Sequence, residues 1–364
     1  MRNIIILLAL IACAFAVRSQ VLSVSGNQFY YPSTPVITPT VGAVINGYNV
    51  ISSPSYTTST AIELFTANSN TIIENKTFNS MSNPIKLWEC GNITIRNCKF
   101  KNITGAAISI ENGQTVTIYG CVFDSCSNGV KVSANASNAF NGGINSGITV
   151  LHNYFKNTMG GSVGYHAVQL TSCNGPGIKV NYNTFENIHL QSHVDDIVSC
   201  FNTYGSISDS IQVIGNWFRG GDYNTPNHTG GAVTIGDNGS SYIHVKNNVI
   251  INVVGGGIGL AGGHDITVEN NTLYQSQALA NPLNQTDGLI MYNFDAIPSS
   301  ATCYSNTIQN NRVYYLDSNG NPRNYNYNSA NKNCLDAAGT STNVSDPTLT
   351  ESILPVTINN LYHY

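Results

Sequence analysis

Only 9% of the residues are charged, so a place where ionisable side chains gather stands out. One stretch, residues 166–237, holds His166, His193, Asp195, Asp196, Arg219, Asp222, His228 and Asp237. An imidazole beside a carboxylate is a poised proton acceptor, and a positioned acid or base contributes about 10²–10⁴ in rate. An arginine nearby can neutralise a sugar carboxylate or a developing enolate. These residue types suit hydrolysis or elimination, with His166, Asp195, Asp196 and Arg219 in catalytic roles and His193, Asp222, His228 and Asp237 as substrate contacts. Asp195, Asp196, Asp222 and Asp237 together would suit a calcium ion, although the sequence has no contiguous Asp-rich calcium loop. No other metal or cofactor is expected. Structural uses compete with these: Glu186 and Arg219 are suited to a salt bridge, and Asp195 or Asp196 to capping a turn.

Whether these side chains meet depends on the elements that carry them, and those elements repeat. Asn92–Phe100, Thr115–Phe123, Gly147–Phe155, Gly177–Phe185, Ser210–Phe218, Tyr242–Ile250 and Asp265–Leu273 share one template, and weaker copies end at Phe78 and Val313. In each copy apolar and polar residues alternate, as in Ile178 and Val180 or Ile211 and Val213, which is the period of a strand with one buried face. A second short strand follows each copy, at Ile85–Leu87, Ile108–Ile110, Val130–Val132, Val168–Leu170, Ile197–Ser199, Val233–Ile235, Ile258–Leu260 and Leu289–Met291. Short strands recurring every 22 to 33 residues, with no helical stripe between them, predict the coils of a parallel β-solenoid stacked about 4.8 Å apart.

Stacking turns template positions into columns. One holds Cys98, Cys121, Asn153, Asn183, Asn216, Asn248, Asn271 and Asn311, and reads as an asparagine ladder at a bend. Its two cysteines sit on adjacent coils, close enough for either a disulfide or two packed thiols. Aligning the second strands on their first apolar residue places Asn83, Ala106, Asn128, His166, Asp195, Gly231, Gly256 and Asp287 in one outward column, with His166 beside Asp195. Another outward column, Thr94, Thr117, Thr149, Lys179, Gln212, His244, Thr267 and Thr307, reads as β-branched strand formers interrupted by polar residues. The middle coils are longer than the first, through insertions such as 135–145 and 220–229, and loops on a rigid scaffold are where function concentrates.

The 364 residues include 15 basic and 19 acidic ones, a net charge of -4, which leaves no basic field for general nucleic-acid binding. Asparagine supplies 50 residues, so uncharged hydrogen-bonding groups dominate the exterior, and nine Asn-x-Ser/Thr sequons are expected from that frequency alone. Met1-Arg2-Asn3, the apolar run Ile4–Phe15 and the small residues Ala14 and Ala16 follow the order of a secretory signal over residues 1–19. The run is too short to span a bilayer comfortably, so a secreted, extracellular or periplasmic protein is expected, with disulfides permitted and no transmembrane segment. The expected organisation is a signal at 1–19, an N-terminal cap at 20–60, a parallel β-helix at 61–315 and a C-terminal cap at 316–364.

Over residues 60 to about 315 the repeats resemble the right-handed parallel β-helix proteins of the pectin-lyase-like superfamily. The resemblance implies an all-β fold of about nine to ten coils, capped at both ends, and a polysaccharide partner. Val194-Asp195-Asp196-Ile197-Val198 is similar to the paired-Asp strand of polygalacturonases, and Gly230–Gly236 is similar to that family's next strand. The sequence departs from that pattern at Gly231, where the family places a histidine, and at His166, where it places an aspartate. No Arg-x-Lys motif lies near Ile258, so polygalacturonase activity itself is not expected. Two functions remain: an extracellular lyase or glycoside hydrolase, or a non-catalytic glycan-binding, adhesin or matrix protein.

Overall fold

The computed structural model describes residues 61–65, 68–134, 145–160, 164–188, 191–221, 231–277, 287–291, 303–327 and 338–354, together with short strands at 44–45, 48–51 and 57–58. The expected signal at 1–19 and most of the N-terminal cap lie outside the described residues, as do Asp222 and His228.

Each coil contributes one strand to each of three sheets, named here I (12 strands), II (10 strands) and III (11 strands). The chain runs from sheet II to sheet I to sheet III and then starts the next coil, as in Ile85–Trp88, Gly91–Arg96 and Lys99–Lys101. Pairing between coils is parallel throughout, and residues in register repeat the template, Phe123 facing Phe100 on one side and Phe155 on the other. This is a right-handed parallel β-helix, all-β as the repeat predicts. Strands continue on both sides of the template region. Thr57–Thr58 joins sheet III at one end, and Tyr325–Tyr327 and Val344–Ser345 extend sheets II and III at the other.

The interior is a stack of like residues. Phe78, Phe100, Phe123, Phe155, Phe185 and Phe218 are essentially inaccessible, with successive ring centroids 5.1, 4.8, 4.4, 4.8 and 4.8 Å apart. The coil pitch equals a comfortable ring-stacking distance, so the same residue type is favoured at the same place in every coil.

The ladder forms as expected. The side-chain oxygen of each asparagine accepts from the main-chain N–H of the asparagine one coil earlier, from Asn183 onto Asn153 through Asn311 onto Asn271. It runs one rung further, to Asn343, whose oxygen accepts from Asn311 N–H. Cys98 and Cys121 fill the first rungs as free buried thiols, which settles the alternative left open by their spacing. Cys90, Cys126, Cys173 and Cys200 are also free and buried.

A second reason for the abundant asparagine is conformational. The residue just before each rung, Asn97, Gly120, His152, Tyr182, Gly215, Asn247, Asn270 or Asn310, has φ between 53° and 67°. Asparagine and glycine enter this left-handed region more readily than other residues. His152 and Tyr182 occupy it as stacked rings 5.3 Å apart, with Tyr119 edge-on to His152 at 5.5 Å.

Several of the scarce charges join neighbouring coils. Lys86 pairs with Glu63 at 2.8 Å, Arg96 with Glu74 at 2.6 Å, Lys246 with Glu269 at 2.7 Å and Arg323 with Asp287 at 2.7 Å.

Candidate functional site

The residues picked out in the sequence distribute over two sheets. His166, Asp195 and Asp196 lie at the entrance of sheet II. Its strands Val168–Thr171, Asp196–Phe201 and Gly231–Asp237 are consecutive neighbours. Arg219 ends a strand of sheet III, in register with Glu186. That pairing matches the structural alternative: Arg219 follows Lys101, Asp124, Lys156 and Glu186 in a column of alternating sign. Burial raises the pKa of Glu186, while Tyr154, whose hydroxyl donates to Glu186 Oε2 at 2.5 Å, and the charges of Arg219 and Lys156 oppose the rise.

The register corrects the expected column by one residue. Val168 faces Val198, and Asp196 faces Gly231, so Asp196 and not Asp195 continues the column of Asn128 and His166. Ile197 and Val198 are both fully buried because the chain turns a corner as it enters the sheet. Two successive residues therefore face the interior, and the first apolar residue is not the one in register. Gly129 belongs to the inward corner column, where an added Cβ would lie 2.7 Å from the Phe155 ring. Asp195 works on the connecting turn instead. Its Oδ2 accepts from Gly164 N–H at 3.0 Å and its own N–H donates to Tyr165 O at 3.0 Å.

His166 is 3% and Asp196 5% exposed. The contact between them runs through the main chain: His166 Nδ1 lies 3.1 Å from Asp196 N and 3.0 Å from Asp196 O. A neutral ring can accept there from the N–H, and a protonated ring can donate to the carbonyl, so the imidazole keeps a partner in either charge state. Thr234 donates its hydroxyl to Asp196 Oδ1 at 2.7 Å. The two column positions after Asp196 are Gly231 and Gly256, and a Cβ at Gly231 would meet Asp196 Oδ1 at 3.2 Å. Neither glycine adds a side chain of its own beside the carboxylate, and Ile290 Cδ1 closes the far side, 3.2 Å from where a Cβ at Gly256 would stand. Beyond Gly256, Asp287 is held by Arg323, with Nε to Oδ1 at 2.7 Å and Nη2 to Oδ2 at 3.1 Å.

Two further rows complete the outer face. Gln169, Ser199 and Thr234 form the middle row, and Thr171, Phe201 and Asp237 the last. Ser199 and Thr234 point away from the core yet are each only 8% exposed, so the face is recessed there. Phe201 is 38% exposed at its edge. A bulge in Gly231–Asp237, at Gly236 with φ 83°, carries Asp237 opposite Phe201. Asp237 is six residues from Gly231, roughly 20 Å along the strand, so it does not join Asp196. His193 sits on the connection before the strand, bridged to Gly160. Several buried polar atoms on this side have no hydrogen-bond partner: Asn128 Oδ1, Gln169 Oε1, Thr171 Oγ1 and His193 Nδ1. Sequence periodicity found His166 and the aspartates but passed over Gln169, Ser199, Phe201 and Thr234. Their signal was the outward parity of the second strands.

The described members of the calcium set suggested by the sequence, Asp195, Asp196 and Asp237, are not brought together. Asp195 holds a turn, Asp196 and Asp237 stand far apart, and no group of three or more His, Cys, Asp or Glu side chains among the described residues is placed to hold a metal ion. Nor is any helix among the described residues long and apolar enough to cross a membrane.

Three parallel sheets around one stacked core, with a recessed polar face on one of them, define a parallel β-helix protein. The chain belongs to the right-handed β-helix family: the model of the right handed beta helix region matches residues 18–218, more than half of its length. No curated protein and no solved structure shows significant similarity to it. Membership places the protein among polysaccharide-related or structural β-helices.

Proposed function

We propose that the protein is an extracellular polysaccharide-active protein that holds a glycan across the recessed outer face of sheet II, with Asp196 and His166 as its proton-transfer pair. The observation that carries this reading is the buried Asp196 carboxylate, oriented by Thr234 and followed in its column by Gly231 and Gly256, which add no side chains beside it. The unpartnered atoms of Asn128, Gln169, Thr171 and His193 support it, because buried polar groups are normally paired and sugar hydroxyls would pair them. In this reading Asp196 takes or gives the proton at the reacting oxygen or water. His166, satisfied in both charge states, adjusts the charge behind it.

One spacing favours binding without turnover as a second reading. Asp287, the next carboxylate in the column, is three coils from Asp196, about 14 Å, whereas paired glycosidase carboxylates lie roughly 5–9.5 Å apart. The test is a screen of neutral and acidic polysaccharides for new reducing ends and for the ultraviolet absorbance of unsaturated products, with binding followed in parallel. Cleavage lost in Asp196→Asn with binding retained supports catalysis. Binding without cleavage of any substrate selects the second reading, and neither binding nor cleavage refutes both.

A further inference from the structure

Resting on the reading of sheet II as a glycan-binding face, we infer that its ligand is a neutral, hydroxyl-rich polysaccharide and not a polyuronate or a sulfated glycan. From residue 157 through residue 311 the chain contains three cationic side chains, Lys179, Arg219 and Lys246, against ten carboxylates. None of the three cations lies on sheet II. Lys179 and Lys246 belong to strands of sheet I, and Arg219 belongs to sheet III beside Glu186. The segments that lead into the sheet II strands here, 157–167, 187–195, 220–230, 252–257 and 276–288, contain no lysine or arginine at all. Lys131, the nearest cation on the outer row of sheet II, stands one strand before Gln169. Arg323, at the other end, is engaged bidentately by Asp287.

A polyanion laid on this face would approach the carboxylates of Asp195, Asp196 and Asp237 with no lysine or arginine on these strands or on the segments leading into them, and like charges brought together at a recessed surface repel. Elimination on a uronate would further need a positive group at the sugar carboxylate, which these coils do not present there. What the face does present suits an uncharged sugar. Gln169, Ser199 and Thr171 are neutral hydrogen-bonding groups, and Gln169 Oε1 and Thr171 Oγ1 are buried without partners. Phe201, 38% exposed in the next row, offers a flat apolar surface for the C–H face of a pyranose.

The experiment is affinity electrophoresis of the full-length protein through gels containing a neutral β-glucan, a galactomannan or a xylan, against polygalacturonate, alginate or chondroitin sulfate. Each gel is run at low and high salt, and with calcium or chelator. Neutral polymers should retard the protein with little salt dependence, since no ion pairs are screened. Phe201→Ala should weaken retardation about tenfold, the equivalent of roughly 1.4 kcal/mol. Lys131→Ala should leave it unchanged, and circular dichroism on both variants verifies folding. Retardation by acidic polymers alone, lost in salt or in Lys131→Ala, overturns neutrality while keeping a polysaccharide ligand. Retardation by polyuronate only when calcium is present overturns it equally. If no polymer of either kind retards the protein, the polysaccharide reading itself falls, and this inference with it.

Discussion

Replacing Asn216 by alanine tests the ladder at its centre. The Asn216 side chain makes four hydrogen bonds: Oδ1 accepts from Asn183 N–H at 2.9 Å and Asn183 Nδ2 at 3.1 Å, and Nδ2 donates to Val180 O at 2.8 Å and Asn248 Oδ1 at 3.0 Å. All of these groups are buried. At about 0.5–1.5 kcal/mol net per bond the sum is roughly 2–6 kcal/mol. Asn183 Nδ2 keeps its bond to Val150 O at 2.8 Å, and Asn248 Oδ1 keeps Asn216 N–H at 2.9 Å, which favours the lower half of that range. The group left worst off is Asn183 N–H, whose ladder acceptor disappears. A loss of about 3 kcal/mol, over roughly 300 cooperatively melting residues with an unfolding entropy near 2.1 cal/mol/K each, lowers Tm by about 5 °C. Thermal melting followed by circular dichroism measures this directly, with Asn247→Gly as the control. Asn247 precedes Asn248 at φ 56°, where glycine is tolerated, so that variant should melt within about 2 °C of the parent. Equal melting of Asn216→Ala and the control would mean that the rungs do not contribute, and would refute the reasoning.

Three other outcomes are expected. Asp196→Asn should abolish glycan turnover by about a hundredfold or more with little change in Tm, while Asp195→Ala should lower Tm and spare activity, because Asp195 holds the Gly164–Tyr165 turn; the opposite pattern would return the site to Asp195. Burial lowers the pKa of His152 and His244 below the ordinary 6.5. The unfolded chain therefore binds those protons first, and stability present above pH 6.5 is lost as the pH falls toward 5. A His152→Asn, His244→Thr double variant, using residues common in those columns, should show a shallower fall in Tm between pH 7 and 5, and an unchanged slope would assign the acid sensitivity elsewhere. Burial also pushes the thiol pKa of Cys90 to about 11 and those of Cys126 and Cys200 to about 12. The folded protein should accordingly give no reaction with a disulfide reagent at pH 8 until denaturant is added, and rapid labelling of the native state would contradict their burial.

Why the fold was more legible than the site follows from what each depends on. A coil repeats, so the Phe78–Phe218 column, the asparagine rungs and the threonine row are each seen many times, and errors in one copy are corrected by the others. The site occupies the few coils that break the repeat. At Asp195-Asp196-Ile197-Val198 the strand offers two consecutive apolar residues and two consecutive acids, and alternation alone permits either register. The deciding information was in the neighbouring coils: Gly129, Ala167, Ala232, Gly257 and Gly288 keep the corner column small wherever side chains crowd beneath it, Phe155 under Gly129 and Leu273 under Gly257. Ile197 belongs to that column, which moves Val198 into register and Asp196 into the place beside His166. Arg219 stands apart from the sheet II residues for a different reason. Its distance along the chain from Asp222 is short, but the chain crosses from sheet III to sheet II between Arg219 and Gly231, and sequence proximity at such a crossing does not mean a shared face. Phe201 shows the reverse case, an aromatic residue that a core-seeking reading assigns to the interior. Cys200 and Val198 take the inward positions of that strand, so parity alone sends Phe201 outward. A large apolar side chain left 38% exposed beside recessed hydroxyls then belongs to the proposed binding face, and its truncation probes that proposal without opening the core.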